Sequence, residues 1–137
     1  MQYGVKTAML NREAIKAYQT AEQDYMVEGA NPHMLVQILF SEFIASIELT
    51  IQALEDSDLA AKSAHVTKAM MICHLLATSL DFEKGGAVAV SLAEIYEWSR
   101  RKLLEASLHN RIADLQDVHK TINDISSAWS TINAKAA

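Results

Sequence analysis

The residues of this chain that could carry out chemistry are five histidines and a single cysteine, and their spacing supports no familiar catalytic site. In helical di-metal proteins a Glu three residues before a His places both ligands toward the bundle axis, and none of the five histidines has that partner. The sequence also lacks a His-Glu-x-x-His zinc motif, a phosphate-binding glycine loop and a Gly-x-Ser-x-Gly nucleophile turn. Cys73 falls on the apolar stripe of a predicted helix, where a small buried thiol packs rather than reacts. We therefore expect no enzyme, no metal and no cofactor.

One short motif supports an alternative with covalent chemistry. His65-Val66-Thr67-Lys68-Ala69 is similar to the His-x-x-Lys-Gly of histidine phosphotransfer domains, which are also four-helix bundles. In those domains an exposed His accepts a phosphoryl group and the Lys neutralises its charge. Ala69 replaces the glycine that leaves room beside the imidazole, and a surface His on a solvated helix is the simpler interpretation. Phosphotransfer at His65 is kept as an alternative function.

The composition argues against several classes of partner. A formal net charge of -5, with acids and bases mixed along 137 residues, leaves no basic stripe for a phosphate backbone, so we expect no nucleic acid. The first residues lack the basic and apolar segments of a signal peptide, and we expect no apolar run near the length that spans a bilayer. A single cysteine cannot form an internal disulfide. These features predict a soluble cytosolic chain with one domain and no membrane insertion.

Four amphipathic segments separated by short breaks predict the elements that position these residues. Asn31-Pro32 is a helix start signal, because Asn caps free amides and Pro at the first helical position loses no hydrogen bond. The breaks that follow are the polar stretch Glu55-Asp56-Ser57-Asp58, the turn Gly85-Gly86 and the interruption His109-Asn110-Arg111. Helices are predicted over 32–54, 59–80, 87–108 and 112–132. Short connections make successive helices antiparallel. We therefore predict an all-α, antiparallel up-down four-helix bundle over residues 31–137, preceded by an extension and partly helical N-terminal arm over residues 1–30.

These helices carry more apolar residues than one core-facing stripe needs. The stripe of the first helix is predicted to contain Phe40, Ile44, Ile47, Ile51 and Leu54, and that of the second to contain Leu59, Val66, Ala69, Cys73, Leu76 and Leu80. Apolar residues off these lines are Leu35, Leu39, Phe43, Met71, Leu75 and, on the third helix, Tyr96. The surplus either widens the core, is covered by the arm, or forms a groove for an amphipathic helix of a partner. Two copies of the chain could also pair through it.

Several phrases of the sequence resemble the flagellar export chaperones of the FliS family. Leu80-Asp81-Phe82-Glu83-Lys84-Gly85-Gly86 matches the most distinctive phrase of that family, and Ala30-Asn31-Pro32-His33 resembles its Ala-Ser-Pro-His start. Ile15-Lys16-Ala17-Tyr18 resembles its N-terminal Ile-Lys-Ala-Tyr, and Ala128-Trp129 with Ile132 matches its close. The resemblance covers residues 15 to 132, with the pieces in order and at the expected spacing.

The resemblance implies a non-enzymatic cytosolic chaperone. Such proteins bind the C-terminal segment of newly made flagellin, prevent premature polymerisation and help deliver it to a component of the flagellar type III export gate. In the family the flagellin segment becomes helical on the bundle, and the arm occupies part of the groove when the client is absent. Ile15 and Tyr18 match the arm motif and are expected to gate the groove. The groove residues expected from helical phase are Leu35, Leu39, Phe43, Met71, Leu75, Leu92 and Tyr96. A homodimer without client, and a generic helical adaptor with another client, stay open.

Overall fold

Four helices make up the fold in a computed structural model that describes residues 16–18 and 32–136. They are α1 (Pro32–Glu55), α2 (Leu59–Thr78), α3 (Phe82–His109) and α4 (Ile112–Ala136). Helix α1 packs on α2 and α4, and α3 packs on the same two helices from the opposite side. The described part of the chain contains no strand. The prediction of an all-α four-helix bundle is therefore confirmed, and the short connections make its neighbours antiparallel.

The helix ends are fixed by polar side chains in the short connections. Asp58 accepts a hydrogen bond from the Ala61 amide at 3.1 Å and so caps the start of α2. Asn110 ends α3 in the left-handed conformation with φ 54°, which Asn tolerates better than most residues. On α2, the Lys62 ammonium donates to the Ser107 carbonyl at 3.0 Å, which satisfies a free carbonyl in the last turn of α3. These caps explain why the predicted boundaries at residues 59 and 112 agree with the structure.

The glycine pair does not form the turn between α2 and α3 that the sequence predicted. Helix α2 ends at Thr78, two residues earlier than predicted, and Asp81 caps α3 by accepting from the Lys84 amide at 3.0 Å. Helix α3 therefore begins at Phe82, ahead of the glycines. Gly86 has φ 51° and interrupts the helical geometry one turn after it begins. The prediction was wrong because an early cap can start a helix before a glycine, which then kinks it.

The stripe predicted for α1 is rotated in the structure. Phe43, assigned by helical phase to a second face, is completely buried in the core, whereas Ile44 and Ile51 are only half-buried. The buried stripe also includes Thr50, whose hydroxyl donates to the Ser46 carbonyl at 2.7 Å. A satisfied hydroxyl can be buried at small cost, and this lets a polar residue take a place in the core. On α2, Leu59 was predicted in the core stripe but is exposed, because it lies in the first turn at the end of the bundle.

Helix α1 contains a longer apolar run than the sequence predicted. Residues His33–Glu55 have a mean hydropathy of 1.7, enough by length and composition alone to cross a membrane. The expectation that no apolar run reaches such a length was therefore wrong. One such helix is weak support for a membrane span, since the core helix of a soluble protein passes the same test. Only 33% of the apolar window is buried inside the bundle, so α1 presents apolar residues at the surface.

Candidate interaction site

Exposed large apolar side chains are concentrated on three of the four helices. Those on α1 and α2 are Met34, Ile38, Leu49, Leu59, Met71 and Leu75, and those on α3 are Phe82, Val90, Leu104 and Leu108. The described side chains of α4 include none; apart from Ala113, its exposed positions are polar, such as Gln116, Asn123 and Ser127. The exposed apolar surface therefore lies on α1, α2 and α3, and we look there for a place of contact.

The largest of these groups lies along the line where α1 meets α2. The Lys68 ammonium lies 2.9 Å from the Glu42 carboxylate, and this exposed ion pair marks which turns of the two antiparallel helices lie opposite each other. Helical spacing from the pair, one turn toward the start of α1 and the end of α2, leads us to infer that Ile38 lies near Met71. We call this surface the α1–α2 seam. Its members are Met34, Leu35, Ile38, Leu39, Met71 and Leu75.

The seam combines strongly exposed side chains with half-buried ones. Met71 is 62% exposed, Met34 51%, Ile38 49% and Leu75 44%. Leu35 and Leu39 are half-buried, and Leu39 packs against the core. Half-buried leucines below a row of exposed side chains give the seam a shallow, apolar floor. A surface of this kind can accept an amphipathic helix through anchors at helical spacing.

A second feature is the place where the N-terminal arm packs against the bundle, at the end where α3 begins. We call this contact between residues 16–18 and α3 the arm seat. Residues 16–18 of the arm are described, and Ala17 and Tyr18 are buried there. The Asp81 amide donates a hydrogen bond to the Ala17 carbonyl. The Tyr18 hydroxyl is hydrogen-bonded to the hydroxyl of Tyr96 on α3. A backbone hydrogen bond and a phenol pair thus both contribute to holding the arm in this seat.

Gly85 makes the arm seat possible. A Cβ atom added at Gly85 would lie 2.5 Å from the Ala17 Cα and 2.8 Å from its Cβ. The backbone of the arm therefore approaches α3 more closely than any residue with a side chain would allow. The two glycines of the pair have different roles, since nothing lies within 4 Å of a Cβ added at Gly86.

An aromatic cluster surrounds the Tyr18 ring. Its edge meets the Trp129 ring with centroids 5.6 Å apart and an interplanar angle of 76°. Trp129 stacks on His33 at 4.3 Å, and its indole N–H donates to the His33 carbonyl at 2.9 Å. Burial raises the pKa of both Tyr18 and Tyr96 well above the ordinary value, and burial lowers the pKa of His33. The cluster is therefore neutral and apolar in character, suited to packing rather than to proton transfer.

The described residues expected to form the groove fall into three places. Leu35, Leu39, Met71 and Leu75 are exposed or half-buried and belong to the α1–α2 seam. Tyr18 and Tyr96 form the arm seat, while Phe43 and Leu92 are buried in the core at 0% and 3% exposure. Tyr96, expected among the surplus residues, is likewise buried at 1%. Ile15 lies outside the described residues, as do residues 1–14 and 19–30 of the predicted arm. The part of these residues in binding stays a prediction.

Neither the place of Ile38 in the seam nor the role of Gly85 in the arm seat was predicted from the sequence. Ile38 has no sequence signal of its own, because its exposure depends on how α1 is rotated against α2. Gly85 belongs to the glycine pair that the sequence predicted to form a turn. The close approach of Ala17 to Gly85 joins residues 68 positions apart and has no local signature.

Two groups named for possible chemistry, the Cys73 thiol and the Lys68 ammonium, are buried or paired. Cys73 is buried, its thiol donates to the Tyr96 carbonyl at 3.3 Å, and burial raises its pKa to about 12. Lys68, the cation of the phosphotransfer motif, is paired with Glu42, and His65 is half-buried on α2. Within residues 16–18 and 32–136 no cluster of three His, Cys, Asp or Glu side chains could hold a metal ion.

A four-helix bundle with exposed apolar side chains on α1, α2 and α3 and a seated arm defines a helical protein whose surfaces suit contact with other chains. The chain belongs to the FliS family: the family model described as "Flagellar protein FliS" matches residues 14–136. It is 34% identical over 130 residues to the flagellar secretion chaperone FliS of Salmonella typhimurium, covering 94% of this chain and 96% of that protein. It is 30% identical to the flagellar secretion chaperone FliSB of Pseudomonas aeruginosa, covering 91% and 99%. The corresponding values for FliS of Bacillus subtilis are 28%, 85% and 86%. The resemblance noted from the sequence is confirmed.

Proposed function

We propose that this protein is a cytosolic secretion chaperone for flagellin. It binds the C-terminal segment of flagellin as an amphipathic helix on the α1–α2 seam, prevents premature polymerisation and hands the client to a component of the flagellar export gate. Membership of the FliS family and the names of the relatives support the client and the pathway. The observation that carries the binding site is the row of seam side chains left 44% to 62% exposed.

The energetics of the seam require a client that extends beyond it. Full burial of a side chain of this size contributes about 1.5–3 kcal/mol, so covering the exposed half of four such side chains contributes about 4 kcal/mol, and burial of the facing side chains of the client contributes about as much again. Ordering a disordered segment costs about 2–5 kcal/mol, which offsets about half of that gain. The seam alone therefore cannot hold a flexible tail at micromolar concentration, which requires about 8 kcal/mol. Further contacts must come from elsewhere on the bundle.

The exposed apolar residues of α3 supply a route for those contacts. Val90, Leu104 and Leu108 are 43% to 65% exposed, and α3 packs beside α2. A client that crosses from the seam over α2 to α3 would cover these residues and leave the polar outer face of α4 uncovered. The proposed client path therefore follows α1, α2 and α3.

The arm seat belongs to the same proposal as a gate. Tyr18 packs on Tyr96 and Trp129 while the client is absent and keeps the groove competent for binding, so its loss should weaken binding; Ile15 precedes it in the same motif. In the absence of client, two copies would pair through their seams to cover the exposed side chains. Binding of flagellin would separate such a homodimer.

The test is titration of the full chain with a synthetic flagellin C-terminal segment, followed by calorimetry and far-ultraviolet circular dichroism. We expect stoichiometric binding, a gain of helical signal by the peptide, and weaker binding by Tyr18→Ala and by Leu39→Asp with the fold retained. Met71→Asp is a sharper variant, because Met71 is 62% exposed and its replacement leaves the core intact. Thr131→Asp on the exposed face of α4 is the matched control. Failure of the tail to bind at micromolar concentration would refute the proposed function, and equal binding by Met71→Asp and Thr131→Asp would refute the proposed site.

A further inference from the structure

Two of the four strongly exposed side chains in the α1–α2 seam are methionines. Met34 and Met71 are 51% and 62% exposed. Met70, which is next to Met71 in the chain, is half-buried and packs against the core. Peroxides oxidise a thioether according to how well solvent reaches the sulfur. The two adjacent methionines therefore differ in how well solvent reaches their sulfur atoms: Met71 is exposed on the seam and Met70 is half-buried.

We propose that Met34 and Met71 are peroxide-sensitive modification sites whose oxidation switches off client binding at the seam. This inference rests on the function proposed above. A sulfur lone pair attacks one oxygen of hydrogen peroxide, so that an S–O bond forms while the O–O bond breaks. The proton of the transferred oxygen passes to the displaced hydroxide, which leaves as water. Sulfur is oxidised by two electrons and the peroxide is reduced; methionine sulfoxide reductases reverse the change.

The physical consequence follows from the position of the two side chains. A sulfoxide is polar and accepts hydrogen bonds, whereas the thioether it replaces is apolar and adapts to varied partner shapes. The apolar face of a client helix offers it no donor, and burying a polar group without a partner is unfavourable. We expect the affinity for client to fall about tenfold or more when both sites are oxidised. The bundle itself should keep its fold, because neither side chain is part of the buried core.

Cysteine oxidation does not compete with this chemistry. Cys73 is the only cysteine, and it is buried. Burial raises its pKa to about 12, so the thiol stays protonated at neutral pH, and the thiolate is the form that peroxides attack. Loss of binding after mild peroxide treatment can therefore be assigned to methionine.

The experiment treats the full chain with hydrogen peroxide and maps the products by tandem mass spectrometry. The tryptic peptide of residues 69–84 contains both Met70 and Met71, so one spectrum compares the two. Binding is then measured by calorimetry with a flagellin tail peptide free of Met and Cys, and the fold is checked by circular dichroism. We expect Met34 and Met71 to be oxidised before Met70, and affinity to fall with them. The double variant Met34→Leu/Met71→Leu, which keeps apolar side chains of similar volume, should bind normally and resist peroxide.

Three results would overturn the inference. The first is oxidation of Met70 as fast as that of Met71, and the second is unchanged affinity after both seam sites are oxidised. The third is loss of affinity by the double variant as large as that of the natural chain. Absence of binding before peroxide treatment would refute the proposed function and the switch together, whereas oxidation without loss of binding refutes the switch alone.

Discussion

The substitution Gly85→Ala tests the arm seat most directly, because it adds one carbon atom at the closest approach of arm and bundle. The added Cβ would lie 2.5 Å from the Ala17 Cα, a backbone atom that cannot rotate away, and 2.9 Å from the Ala89 Cβ one turn further along α3. The contact with Ala89 requires a small shift at the start of α3 in any case, whereas the contact with Ala17 is relieved either by a larger shift of α3 or by the arm leaving its seat. The free energy that holds the arm in place decides between these two responses.

That free energy is small. Burial of the Tyr18 ring contributes about 2 kcal/mol, its contact with Trp129 about 1 kcal/mol, and the hydrogen bonds to the Ala17 carbonyl and the Tyr96 hydroxyl about 1 kcal/mol each. Ordering the backbone of residues 16–18 costs about 1 kcal/mol per residue and ordering the Tyr18 side chain about 1 kcal/mol more, so the net stabilisation is about 1 kcal/mol. This corresponds to a docked arm about five times as populated as an undocked one. Overpacking costs about 1–3 kcal/mol, so we expect the arm to leave its seat in Gly85→Ala.

The readout is the Asp81 amide in a nitrogen–proton correlation spectrum, since that amide donates to Ala17 only while the arm is seated. In Gly85→Ala the resonance of this amide should shift and its hydrogen exchange should accelerate about fivefold. The midpoint temperature of thermal unfolding should fall by only about 3 °C, because the arm contributes little to the stability of the bundle. Gly86→Ala is the matched control: φ is 51° and nothing lies within 4 Å of the new Cβ, so it strains the backbone by about 1–2 kcal/mol without touching the arm. An unchanged Asp81 amide in Gly85→Ala, or the same change in both variants, would show that Gly85 is not what admits the arm.

Two further substitutions separate local contributions. Asp81→Ala removes the cap of α3 and should lower the free energy of unfolding by about 1 kcal/mol in denaturant titration, whereas Asp81→Asn keeps an acceptor and should lose much less. An equal loss in both variants would contradict the capping role. Burial lowers the pKa of His33 below its ordinary value of 6.5, so at mildly acidic pH the unfolded chain binds more protons than the folded chain. The free energy of unfolding should therefore decline as the pH falls below 6.5 toward the lower pKa of the folded state. His33→Phe keeps a ring on Trp129 and should flatten this acid limb in unfolding curves measured between pH 7 and pH 5; an identical limb in both proteins would refute the assignment to His33.

Much of the bundle could be predicted from local pattern. The capping side chain Asp58 and the interruption at Asn110 fixed helix ends because their hydrogen bonds and backbone conformation are local. The glycine pair misled the prediction because Asp81 competes for the same boundary and starts α3 earlier. The rotation of α1 also escaped prediction. Phe43 and Ile44 are adjacent and equally apolar, and only packing against α2 and α4 decides which of the two is buried.

The candidate site divides in the same way. The sequence indicated Met71 and Leu75 as surplus, since they lie off the stripe of α2, and both are exposed. It could not indicate that they lie near Ile38, because that depends on the register of α1 against α2, which packing sets and the Glu42–Lys68 pair marks. The sequence pattern also predicted Tyr96 to be surplus surface. In the structure Tyr96 is buried beneath Tyr18, and the local pattern of α3 contains no signal of this contact with the arm.

The sequence by itself determined the family, the number of helices and their approximate ends, because motifs, apolar periodicity and caps act over a few residues of chain. Only the tertiary structure decided which apolar residues are core, which remain exposed as the α1–α2 seam, and why Gly85 must lack a side chain. Those outcomes depend on the rotation and register of packed helices and on a backbone contact between the arm and α3. These outcomes are decided by contacts between residues that are distant in the chain, and no short stretch of the sequence contains both residues of such a contact.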